Sequence, residues 1–155
     1  MRRRRRIRKT ILPLVLGILI IGSLVWLIAG FFSDERQAKD VVQQFYTYEQ
    51  EGEFAESWEL FHTEMKAKFP KGHYLQDRAH VFMNHFGVQT FSFTMSGAEK
   101  LDSWSIEKGA KPLKNVYKIT VIQTYKGKYG NFDLQQEVFA AKEKGEWKVL
   151  WSYQK

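Results

Sequence analysis

KNVYKITVIQTYKGKYGNFDLQQEVFAAKEKGEWKVLWSYQK, residues 114–155, alternates apolar and polar side chains with a period of two. Between 114 and 125, Tyr117, Ile119, Val121 and Tyr125 share a face opposite Lys118, Thr120 and Thr124. Between 131 and 142, Phe132, Leu134, Val138 and Ala140 share a face, and further on Trp147, Val149, Trp151 and Tyr153 alternate with Lys148, Ser152 and Gln154. That period marks strands with one face buried. Gly127-Lys128-Tyr129-Gly130-Asn131 and Lys144-Gly145 carry turn chemistry, so the three runs read as consecutive antiparallel strands. Strands of about 12 residues reach roughly 40 Å if flat, so such a sheet must twist and curl.

Upstream, 88–95 and 99–107 also alternate, with Phe91, Phe93 and Met95 on one face of the first and Trp104 and Ile106 on one side of the second. Before Gly87 the period is helical. Ser33 is placed to cap a helix whose apolar side is Ala38, Val41, Val42, Phe45 and Tyr48, ending near Gly52. Phe54, Trp58, Phe61 and Met65 form one stripe of a second helix, and 69–72 reads as a loop. Leu75, Ala79, Phe82, Met83 and Phe86 mark a third helix. Helices segregated from antiparallel strands define an α+β domain over 33–155. Three helices packed into the concave side of a curled sheet would make it cone-like.

The other end of the chain has a different chemistry. From Thr10 to Ser33 there is no charged residue, and 11–32 is almost wholly apolar. As a helix those 22 residues rise about 33 Å, close to the thickness of a bilayer's hydrocarbon core. Arg2, Arg3, Arg4, Arg5, Arg6, Arg8 and Lys9 precede the run, and Asp34 and Glu35 follow it. Basic flanks stay cytoplasmic. The sequence thus predicts a basic cytoplasmic tail over 1–10, a transmembrane helix over 11–32, and an extracytoplasmic domain over 33–155. A cleaved signal peptide fits less well: its apolar core is shorter, and no small-x-small site closes this run.

The formal charge of +7 suggests nucleic acid only until it is located. The seven N-terminal cations aside, 17 basic residues balance 17 acidic ones, so the body of the chain is neutral. No nucleic-acid partner is expected. The absence of cysteine excludes disulfides, thiolate nucleophiles and cysteine-ligated metals. His62, His73, His80 and His85 lack metal-ligand spacing. Ser105-Ile106-Glu107-Lys108 fits S-x-x-K formally, but it lies in an alternating, strand-like segment and neither S-D-N nor K-T-G occurs. No cofactor, metal or catalytic residue is expected.

AKDVVQQFYTYEQEGEFAESWELFHTEMKAKF (38–69), KGHYLQDRAHVFMNHFGVQTFSF (71–93) and EKGEWKVLWSYQK (143–155) resemble the nuclear transport factor 2-like superfamily. More narrowly they resemble its membrane-anchored, extracytoplasmic members, including the non-catalytic N-terminal domain of methicillin-resistance-type penicillin-binding proteins. The layout is also similar to single-span subunits of conjugation and type IV secretion channels. The anchor, the neutral but polarised domain and the lack of a catalytic site predict a scaffold or accessory subunit that binds protein partners in the bacterial envelope, and the resemblance implies a homodimer through the sheet. Enzymes of the superfamily, isomerases and dehydratases, work inside the cone, where Asp102 would be the acid to test, with Tyr48 or Tyr117 as donor.

Two sets of residues are therefore candidates for function. Trp58, Phe82, Asp102, Tyr117 and Trp151 would line a pocket in the cone for a small apolar ligand or wall fragment. Glu49, Glu51, Glu53, Glu56, Glu59 and Glu64 form an acidic run without an intervening Lys or Arg, while Lys108, Lys111, Lys114, Lys118, Lys126 and Lys128 crowd the strands. Such polarity would orient a protein partner on the acidic face.

Overall fold

The computed structural model describes residues 15–23, 25–26, 33–80, 90–127 and 130–153. The chain divides into two compact units, 1–36 and 37–155. In the first, residues 15–23 and 25–26 are helical (α1), and Leu19, Ile21 and Trp26 are 63%, 66% and 77% exposed. Among the described residues no helix is long and apolar enough to cross a membrane. The arginine cluster and residues 11–14, 24 and 27–32 of the expected span lie outside the described residues.

Helix α2 (Asp34–Glu51) begins where Ser33 was expected to cap it: the Arg36 N–H donates to Ser33 Oγ at 3.3 Å. Its end is set by Gly52, whose φ of 79° suits a residue without a Cβ. The Gly52 N–H bonds Glu49 O at 3.3 Å and the Glu53 N–H bonds Tyr48 O at 2.8 Å, the paired closure of a Schellman motif. The buried stripe is Ala38, Val41, Val42, Phe45, Tyr46 and Glu49. Tyr48, expected on that stripe, is only half-buried.

The expected second helix is broken in two, α3 (Phe54–Glu59) and α4 (Thr63–Lys68). The break has a tertiary cause. Phe61 forms a parallel bridge to Val149: the His62 N–H donates to Val149 O at 3.1 Å, and the Val149 N–H to Leu60 O at 2.8 Å. The chain leaves the helix to cover a sheet edge. His62 then restarts it, its Nδ1 accepting from the Glu64 N–H at 3.2 Å. The third helix, α5 (Lys71–His80), starts earlier than its apolar pattern suggested, directly after Pro70, whose fixed φ suits a helix start. The described domain thus has four helical segments where three helices were expected.

The sheet has five strands: β1 (Phe91–Met95), β2 (Glu99–Trp104), β3 (Leu113–Gly127), β4 (Gly130–Glu143) and β5 (Glu146–Trp151). All pairings are antiparallel, so the α+β expectation holds. Strand β3 is central to one side: β1 pairs with its far half and β2 with its near half, while β4 and then β5 follow on the other side. The β4–β5 connection is Lys144-Gly145, with φ of 53° and 90°, the two positive values a type I′ hairpin requires. Tyr117, Ile119, Val121 and Tyr125 of β3 are buried, as the alternation predicted, and Gln123, which was not expected there, is buried with them.

The core lies between the α2 stripe and this face of the sheet, with Phe61, Met65 and Tyr74 from the other helices. Aromatic rings meet edge-on there: Phe61 stands 4.9 Å from Trp151 at 81° and 5.2 Å from Tyr74 at 79°. The opposite face is covered in part. Phe139 and Leu150 are register partners and buried, and Trp104 stacks on Phe139 at 4.0 Å. Ile106, expected in β2, sits in the loop after it, where its carbonyl accepts from the Tyr153 N–H at 2.8 Å.

Candidate functional site

The α2 stripe carries a carboxylate into the core. Glu49 follows Ala38, Val42 and Phe45 at helical spacing and is 2% exposed. A buried charge persists only if paired and hydrogen-bonded, and two elements, α5 and α3, supply the partners. Tyr74 and Arg78, one turn apart on α5, present side chains to the same point. Tyr74 Oη donates to Glu49 Oε1 at 2.6 Å, and Arg78 Nε donates to Oε2 at 2.5 Å. Arg78 Nη2 donates to Oε2 as well, and Ser57 Oγ of α3 donates to Oε1. Both carboxylate oxygens are thus saturated. Burial disfavours the charge on Arg78, but the Glu49 carboxylate outweighs it and raises the guanidinium above its ordinary value. Tyr74 is also held above the usual range, by burial first and by Glu49 second.

A cavity of about 370 Å³ opens beside this network. It is lined by Phe45 and Tyr46 of α2, Arg78 of α5, Leu134, Gln135 and Gln136 of β4, and Trp151 of β5. Its size lies at the small end of ligand pockets. Tyr46 Oη donates to Gln136 Oε1 at 3.0 Å, and burial raises the Tyr46 hydroxyl above its ordinary value. The wall combines aromatic faces with amide groups and a guanidinium neutralised from behind by Glu49.

Among the described residues expected to line a cone pocket, Trp151 lines this cavity and Trp58, Asp102 and Tyr117 do not. Trp58 is half-buried elsewhere, its Nε1 donating to Phe69 O at 2.7 Å and its ring lying under Lys66 Nζ at 4.4 Å. Tyr117 is buried against Trp147 at 5.5 Å. Asp102, the acid to test for catalysis, is exposed on β2 and does not line the cavity. Phe82 lies outside the described residues.

The acidic run is corrected in two places. Glu49 is not on a surface at all. Glu59 is exposed, but folding brings Lys71 Nζ to 2.7 Å and Lys66 Nζ to 3.1 Å, and those hydrogen bonds lower its carboxyl. Glu51, Glu53 and Glu56 are exposed and Glu64 is half-buried. Among the basic residues, Lys118 is bound to Glu99 at 2.8 Å and approaches Glu137 at 3.7 Å. The polarity legible along the chain is therefore weaker on the folded surface.

Sequence reasoning missed Tyr46, Arg78, Gln135 and Gln136. One signal was available: an acid at core spacing on α2 demands cationic and hydroxyl partners, and Tyr74 with Arg78 is an i, i+4 pair of that chemistry. Among the described residues no group of three or more His, Asp or Glu side chains is placed to hold a metal. No family model matches the chain, and no curated protein matches it.

Proposed function

We propose that the chain is a single-pass membrane protein anchored through 11–32, with its N-terminus cytoplasmic and a cone-like 33–155 domain outside. In this reading the domain binds protein partners in the bacterial envelope, as a non-catalytic scaffold or accessory subunit of wall-building or secretion machinery. Homodimerisation through the sheet belongs to the same proposal. The observation that carries it is the 24-residue uncharged run flanked by seven cations and two acids. The outward apolar side chains of α1 support it, since such a surface needs lipid or protein around it. The absence of catalysis is supported by Glu49 and Arg78: the ionisable groups closest to the cavity bind each other. Protease added to intact protoplasts is expected to degrade 33–155 while sparing an N-terminal fragment. Protection of the whole chain until lysis would overturn both the orientation and the envelope role.

The cavity favours a second reading, a binder of a small apolar ligand or wall fragment. Titration of the full chain in detergent with a disaccharide-peptide wall fragment should then raise the thermal midpoint by several degrees at saturation. An unchanged midpoint at millimolar fragment would remove this reading.

A further inference from the structure

Register places two connections at one end of the sheet. The β3–β4 ladder runs from Gly127 opposite Gly130 to Tyr117 opposite Ala140. The start of β3 (Leu113, Lys114) and the close of β4 (Lys142, Glu143) lie beyond that last pair, at the same end. The 105–112 loop leads into the first, and the Lys144-Gly145 turn follows the second. Helix α2 runs toward this end as its residue numbers fall. Gln50 Nε2 donates to Phe91 O at 2.7 Å, in the row of Tyr125. Tyr46 bonds Gln136, in the row of Val121, and Phe45 packs on Phe61, which bridges Val149 in the row of Ala140 and Tyr117. Gln37, where the second unit begins, lies about 20 Å before Gln50 at the helical rise, so the chain enters the domain at that same end.

This end is basic. Residues 105–114 and 142–148, with Lys68 bonded to Glu107, hold seven lysines against three glutamates. The glutamates are already engaged. Glu107 meets Lys68 at 2.6 Å and Glu146 meets Lys148 at 2.9 Å. Glu143 accepts from the Thr63 N–H at 3.2 Å, with His62 Nε2 3.8 Å away. Lys108, Lys111, Lys114 and Lys144 are exposed, and among the described residues no acidic side chain lies within ion-pair distance of them. Lys100 and Asp102, both exposed on β2, offset each other in charge. The loop that carries Lys108 and Lys111 has a fixed frame: Ile106 is 1% exposed, its carbonyl accepts from the Tyr153 N–H, and the Ala110 N–H bonds Glu107 O at 3.2 Å. The opposite end, where Gln50 meets Phe91, carries the exposed Glu51 and Glu53. A domain whose charges balance is thus polarised along its sheet.

We infer that this lysine-rich end is a docking surface for the anionic phosphate headgroups of the lipid leaflet beside the domain. This rests on the membrane-anchored reading above. Charge complementarity supplies the attraction, because an anionic bilayer surface draws lysines held within about a Debye length, roughly 10 Å at 0.1 M salt. Connectivity supplies the proximity. Residues 33–36 alone separate Gln37 from the apolar run, and four residues span about 14 Å at most. Among the described residues no large apolar side chain is exposed at this end, so the contact is electrostatic and salt-sensitive. The same surface repels Glu51 and Glu53, which turns the acidic end outward and leaves it open to a protein partner.

The full chain has no cysteine, so one introduced at the exposed Pro112 (Pro112→Cys) or, at the opposite end, at Asn131 (Asn131→Cys) takes a single fluorophore. Energy transfer to an acceptor lipid is measured in nanodiscs of phosphatidylcholine, without and with about one third phosphatidylglycerol. At position 112 transfer is expected to rise by about twofold or more in the anionic discs, and at 131 it should not rise. Salt at about 0.5 M should abolish the rise, and so, separately, should Lys108→Glu, Lys111→Glu and Lys114→Glu together. Equal transfer at 112 in both discs, a rise at 131 instead, or a rise that survives salt would overturn the docking surface and leave the anchor standing. A response to soluble polyphosphate but none to phosphatidylglycerol would also overturn it and assign these lysines to a dissolved polyanion. A chain that elutes apart from the discs on gel filtration overturns the anchored reading and this surface with it.

Discussion

Replacing Glu49 with alanine is expected to destabilise the domain by about 3 kcal/mol, and replacing Arg78 with methionine by about 3–5 kcal/mol. The asymmetry follows from exposure. Arg78 keeps 27% of its side chain accessible, so losing Glu49 leaves a cation that water reaches in part. The Glu49 side chain has none accessible, so losing Arg78 strands a carboxylate held only by two hydroxyls. After Glu49→Ala, Ser57 Oγ and Tyr74 Oη, already 3.4 Å apart, can close on each other and recover part of the loss. The double variant Glu49→Leu with Arg78→Met removes both charges and should cost less than the sum, because a buried ion pair is weakly stabilising against an apolar replacement of similar volume. Urea titration of the full chain in detergent, followed by circular dichroism, measures all three. Strict additivity, or an Arg78→Met variant as stable as the parent, would mean that this cluster does not hold α2, α3 and α5 together.

That cluster also shows where local reading of the sequence stops. The strand faces of 117–125 and the helix stripe from Ala38 to Phe45 were legible because both are set by period alone, and the turns by Gly52 and Lys144-Gly145 chemistry. Glu49 belongs to two patterns at once, a run of acids and a core stripe. Counting charge along the chain assigns it to solvent; following helical spacing assigns it to the core, and folding obeys the second. The break at 60–62 had no local mark, since the Phe54–Met65 spacing is helical throughout. It arises because pairing with Val149 satisfies a strand edge that a continuous helix would leave bare. Likewise Phe132 and Leu134 share the face of Val138 and Ala140 by alternation, yet they are 38% and 48% exposed while the other two are fully buried. No periodicity within β4 encodes that difference. Of the expected pocket residues, Trp58 and Tyr117 were taken up by packing instead: Trp58 bonds Phe69 O and Tyr117 meets Trp147.

Phe61→Ala tests the joint that local reading could not see, and a loss of about 3–5 kcal/mol is expected. The ring is completely buried and lies 5.0 Å from Phe45, 5.2 Å from Tyr74 and 4.9 Å from Trp151, so truncation opens a cavity bounded by three other rings. Those rings come from α2, α5 and β5, which restrict one another and cannot collapse freely into the space. At about 4 °C per kcal/mol the midpoint should fall by roughly 12–20 °C. The backbone bridge to Val149 does not depend on the side chain, so the α3–α4 break should persist and the secondary-structure signal below the transition should be preserved. Trp58→Ala provides the contrast. Trp58 is larger but only half-buried, with Lys66 and Lys71 over its ring and one hydrogen bond to Phe69, and its removal should cost about 1–2 kcal/mol. The helical stripe alone would rank the two aromatics equally, since both lie on it. A larger loss at Trp58 than at Phe61 would show that α3 packs through a continuous helical face, and the edge-covering joint at 60–62 would then have to be abandoned as the feature that seats the helices on the sheet.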